Sequence, residues 1–150
     1  MENIFTEKSA LKIIERINKL SPSTNAIWGK MNVAQMLAHC NVTYEMVYDN
    51  KHKPAKGLKK ILLKAFVKPT VCGEKNYPKN SRTAPQFIIE SEKEFNIEKN
   101  RLIEYLTKTQ QLGEDFFEGK ESNSFGKLNI KEWNNMFYKH LNHHLQQFGV

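Results

Sequence analysis

The sequence predicts an all-α fold, a four-helix bundle with one long connection between its second and third helices. Three observations carry that prediction. Four segments repeat apolar residues at the i, i+3, i+4 spacing of a helix face. Only 7 glycines and 5 prolines interrupt the 150 residues, too few for many short strands joined by tight turns. The second and third periodic segments are separated by roughly forty residues, which a bundle accommodates as a crossover. With 39% hydrophobic and 26% charged residues, the chain reads as a single globular domain, residues 1–150, around one sizeable core.

The first helix is expected over residues 6–20, where Leu11, Ile13, Ile14, Ile17 and Leu20 alternate with charges, Thr6 can cap the start and Ser21-Pro22-Ser23 ends it. The second is expected over 32–49, with Val33, Met36, Leu37, Cys40, Tyr44 and Val47 on one face. Residues 58–68, LKKILLKAFVK, read as a short basic amphipathic helix, followed by an irregular stretch. The third helix is expected over 87–112, lined by Phe95, Leu102, Ile103 and Leu106, and the fourth from Asn129 to the end. Asn129 and Glu132 have the spacing of a capping box, with Asn in place of the usual Ser or Thr. The sequence shows no internal repeat.

Three of the five histidines, His140, His143 and His144, lie within five residues on the fourth helix. With Trp133 at zero and about 100° per residue, His140 and His144 fall at about 340° and 20°, on the apolar face with Trp133 and Phe137, while His143 falls on the flank at about 280° and Asn142 faces outward. Two imidazoles at i and i+4 suit adjacent positions around a metal ion, with nitrogens about 2.0–2.1 Å from zinc. A third ligand has to come from another helix, and His39, at the edge of the second helix's core face, is the candidate. The ordinary alternative is a set of core histidines satisfied by carbonyls or water, since burying each imidazole without a partner costs roughly 1–3 kcal/mol. His52, between Lys51 and Lys53, is expected in solvent. Cys40 falls within the core face of the second helix and reads as packing rather than as a ligand.

The string HLNHHLQQF, with His140, His143, His144 and Gln147, resembles the H-x-x-H-H-x-x-Q motif on the last helix of the DinB-like (YfiT-like) superfamily. NVAQMLAH, with Asn32, Gln35 and His39, resembles that superfamily's second-helix motif, and IWGKMN ahead of it fits as well. FGKLNIKEW…YKHLNHHLQQFGV is similar to a branch ending in an HLxHHLxQFG-type string, so the resemblance covers roughly residues 28–150. It implies an up-down-down-up four-helix bundle, frequently a homodimer, with a metal triad of His39, His140 and His144 holding zinc or nickel. It further implies a metal-dependent enzyme acting on a small-molecule substrate, with transferases and isomerases that use bacillithiol, mycothiol or glutathione among the relatives. Hydrolysis is the other chemistry that such a metal site offers. Gln35, His143 and Gln147 are candidates for supporting groups behind the ligands. Two departures stand out: Asn142 replaces an expected aspartate, and Ser122–Gly126 (SNSFG) replaces a His-Pro-containing string, which removes support for a further active-site group from that loop.

The net charge of +7 is concentrated in one place. Residues 51–82 carry ten cations against Glu74 alone, and the remaining chain carries 13 cations and 15 anions. The alternative function is therefore a non-enzymatic bundle that uses the 51–82 segment to bind an anionic partner: a membrane surface, an acidic protein or nucleic acid. The segment has one arginine and lacks the interleaved aromatics of nucleic-acid readers, so specific nucleic-acid binding is not expected. No apolar run reaches the roughly 18–20 residues of a transmembrane segment, and the N-terminus lacks a signal-peptide core. Together with only two cysteines, Cys40 and Cys72, these features point to a cytoplasmic protein.

Overall fold

The computed structural model describes residues 1–49 and 51–150 and is predominantly helical. The long helices begin where side chains satisfy the first free amides. Helix α1 (Glu7–Asn18) opens on Thr6, whose hydroxyl accepts from the Ser9 amide. Helices α2 (Val33–Tyr48) and α6 (Ile130–Gln147) open on complete capping boxes, Asn32 with Gln35 and Asn129 with Glu132. Such caps contribute about 1 kcal/mol each.

Helix α2 is the central element, buried at nearly every position from Val33 to Glu45. It packs on α5 (Phe95–Phe117) and on α6, and α1 closes the bundle against the same two helices. The core is aromatic where α2, α5 and α6 meet. Tyr44 stacks between Tyr105 and Phe137 at 5.7 and 5.1 Å, and Phe137 stacks on Trp133. Cys40 lies in this core, 1% exposed, with burial pushing its thiol far up. At the other end of α2, Glu45 receives Lys51, His52 and Arg101. Burial alone would raise its carboxyl, but these three partners hold it at about 2. His52, expected in solvent, is instead half-buried with Nε2 3.0 Å from Glu45. Asn142, expected to face outward, accepts from Arg16 at 2.9 Å and links α6 to α1.

The third long helix starts at Phe95 rather than near residue 87. Pro85–Phe87 forms a single 3₁₀ turn, and helix does not resume until after Glu94, the N-cap of α5. A helix running from residue 87 would have directed the Phe87 carbonyl to a backbone amide, whereas here it accepts from His39. Helix α5 also runs past residue 112, bending at Gly113, whose φ of 70° is left-handed.

The basic connection is longer in helix than residues 58–68. It comprises α3 (Gly57–Leu62), a π turn (Leu63–Val67) and α4 (Lys68–Cys72). Its end is fixed to α6 by Lys139, 2% exposed, whose Nζ donates to the Thr70 and Gly73 carbonyls at 2.7 and 2.5 Å. Asn135 donates to the Cys72 carbonyl, and Lys68 pairs with Glu132 at 2.8 Å. A minimal hairpin, β1 (Glu121–Ser122) and β2 (Gly126–Lys127), spans SNSFG ahead of α6. Ser122 pins it by donating to the Gly126 carbonyl and accepting from the Phe125 amide. Among the described residues, no helix is long and apolar enough to cross a membrane.

Candidate metal centre

His39 on α2 and His140 and His144 on α6 meet across the bundle, with one ring nitrogen from each lying within 4.8 Å of the others. What aims them is a hydrogen bond behind each ring. His39 Nδ1 is 2.7 Å from the Phe87 carbonyl, His140 Nδ1 is 3.0 Å from the Thr43 hydroxyl and His144 Nδ1 is 2.8 Å from Gln147 Oε1. In all three the outward nitrogen is Nδ1, so the Nε2 atoms point at one another. His39 Nε2 and His140 Nε2 are 3.0 Å apart.

The partners fix the tautomers. A carbonyl only accepts, so His39 donates from Nδ1 and keeps a lone pair on Nε2. Gln147 donates its Nε2–H to the Trp28 carbonyl at 2.7 Å, which presents Oε1 as the acceptor for His144 Nδ1–H. His144 therefore also keeps its Nε2 lone pair. Thr43 can donate or accept, so His140 is the one ring with a choice. It can donate Nε2–H to His39, or it can donate Nδ1–H to Thr43 and aim a third lone pair inward.

Electrostatics favours the neutral rings that a metal requires. Burial pushes all three imidazoles down: His39 below its ordinary value, His144 to about 3, and His140 well below, with the neighbouring rings adding to the effect. The residues thus fit a divalent ion: three convergent neutral nitrogens, each held by an outer partner, could hold one and leave a coordination position open.

Gln147 reaches the Trp28 carbonyl only because residue 29 is glycine. Gly29 has φ +87°, and a Cβ there would collide with Gln147 Nε2. His143 makes no comparable bond; its ring, half-buried, lies edge-on to Trp28 and Tyr77. Gln35 serves the α2 capping box through Oε1 rather than a ligand ring. Of the three supporting candidates, only Gln147 stands directly behind a ligand. Thr43 and the Phe87 carbonyl also stand behind ligand rings, though neither belongs to the histidine motifs. Thr43 sits at i+4 from His39 and was legible in the spacing, but a backbone carbonyl leaves no mark in a sequence.

The triad lies at the wall of a cavity of about 1060 Å³ lined by α2, α6, the basic connection and the hairpin. Most of the lining is apolar, including Met46, Val47, Leu63, Val71, Phe125 and Met136. Lys30, Lys59 and Arg82 line it against Glu90 alone, so part of the 51–82 segment does face the site.

Residues 5–149 match the model of a family described as "Protein of unknown function (DUF1569)". The chain belongs to that family. Searches of curated proteins and of solved structures returned no match.

Proposed function

We propose that this protein is a divalent-metal-dependent enzyme of the DinB-like superfamily, a small-thiol-dependent transferase or a hydrolase acting on a small molecule. The observation that carries the reading is the convergence of three Nε2 atoms whose Nδ1 atoms are all held from behind. His39, His140 and His144 would hold the ion, zinc or nickel. When bound, such an ion supplies Lewis acidity that brings a thiol or water into its deprotonated form near neutral pH. The protein's own part is orientation, exclusion of water by the apolar wall, and a cationic rim. Lys30, Lys59 and Arg82 suit the carboxylates that low-molecular-weight thiols carry. The up-down-down-up order, the homodimer and a cytoplasmic setting belong to the same proposal, the last supported by two free, buried cysteines.

Metal analysis of protein exposed to zinc and to nickel tests it. One ion per chain is expected, lost in His39→Ala and in His140→Ala. Substoichiometric metal in the unsubstituted protein overturns the proposal. Loading with cobalt(II) then separates the two chemistries. A thiolate absorption band on adding glutathione or bacillithiol supports the transferase, and its absence with activity on ester or amide substrates supports the hydrolase.

A further inference from the structure

Helix α3 and the adjoining π turn carry apolar side chains on two sides. Leu63 and Val67 line the cavity, while Leu58, Ile61, Leu62 and Phe66 point away from it and are 70, 64, 48 and 74% exposed. Elsewhere the large exposed apolar residues, such as Leu11, Ile27, Ile97 and Phe116, are spread over different elements. Scattered exposure is ordinary on a protein surface; four large side chains within nine residues of one helix mark a contact surface.

The charges of this helical segment are all positive, and only some of them are paired. Lys60 and Lys68 are committed to Glu121 and Glu132 at 2.5 and 2.8 Å. Lys56, Lys59 and Lys64 are exposed and, among the described residues, form no ion pair. We propose that this face docks the protein on an anionic lipid bilayer, with Leu58, Ile61, Leu62 and Phe66 entering the headgroup boundary and Lys56 and Lys64 meeting lipid phosphates.

Charge complementarity decides between occupants. A second copy seated on the same face would oppose these lysines with lysines, and the 51–82 segment offers Glu74 as its one anion. Nucleic acid would satisfy the lysines but would press four apolar side chains against phosphate. An anionic bilayer satisfies both sets at once, as it does for other basic amphipathic helices lying in the interface. The inference stands independently of the metal centre.

Co-sedimentation with vesicles tests it. Binding is expected to vesicles of equal parts phosphatidylcholine and phosphatidylglycerol, not to phosphatidylcholine alone, and to weaken as salt is raised. Leu58→Ser with Phe66→Ser, and separately Lys56→Gln with Lys64→Gln, should each lower the partition coefficient by about tenfold or more. Metal content and melting temperature, both expected unchanged, show that the variants remain folded. Absence of binding, equal binding to both vesicles or wild-type binding by both double variants overturns the proposal. So does a dimer in analytical ultracentrifugation that Leu58→Ser with Phe66→Ser splits. Retention on duplex DNA without vesicle binding overturns it as well.

Discussion

Thr43 is the residue on which the triad's readiness turns. Its hydroxyl accepts or donates, so His140 can switch tautomer without losing its bond, while the other two rings are committed by a carbonyl and an amide. Thr43→Val keeps the shape and removes that partner. Zinc affinity, measured by competition with a chelating dye, should fall about 10–100-fold, and Thr43→Ser should restore it. Gly29→Ala should act through Gln147: the new Cβ displaces the amide, loosens His144 and lowers affinity by a similar factor. His143→Ala should retain stoichiometric metal, because that ring lies against Trp28 and Tyr77 rather than in the triad. At this scale the i, i+4 pair on α6 was legible from helical period alone. The His144–Gln147 bond lies within α6 and follows the same period, whereas the bonds from His39 to the Phe87 carbonyl and from His140 to Thr43 each cross from one element to another.

At the scale of elements, two polar fixings hold the bundle's ends. Glu45 joins α2 to α5 through Arg101 and also holds Lys51 and His52. Its carboxyl sits at about 2 in the folded protein against an ordinary 4.5. Between those values the unfolded chain takes up the proton first. The stabilisation is therefore complete above about pH 4.5 and is lost as the pH falls toward 2. Glu45→Gln should cost about 1–2 kcal/mol at neutral pH after allowance for solvent screening. Urea titrations across the acid range should show that difference vanishing by about pH 2. Lys139 holds α4 to α6 by capping two carbonyls. Lys139→Met fills the space but leaves both unpaired, so stability should drop by about 1–3 kcal/mol and hydrogen exchange in residues 68–72 should accelerate. The caps of α1 and α6 were readable in advance. The start of α5 was not, because the residues after 87 have helical apolar spacing and yield it to a tertiary bond with His39.

For the whole molecule, His39, His140 and His144 bring together two helices that are far apart in sequence, so an ion bound there should stabilise the fold as a unit. At free zinc about a thousandfold above its dissociation constant the gain is about 4 kcal/mol. For a chain of this length that is roughly 10 °C in melting temperature by scanning calorimetry. His39→Ala should show no such rise.

The sequence alone determined the helical periods, two of the helix starts, the pairing of His140 with His144 on one face and the concentration of positive charge in residues 51–82. These are local properties: a 3.6-residue repeat, a capping side chain and a charge count are each set within a few turns of chain. Tertiary structure alone decided that His39 faces that pair, that Thr43 and the Phe87 carbonyl stand behind the rings, and that the basic helix turns one apolar side to the cavity and the other outward. Those outcomes depend on the angles and depths at which separate elements pack, which no single segment encodes.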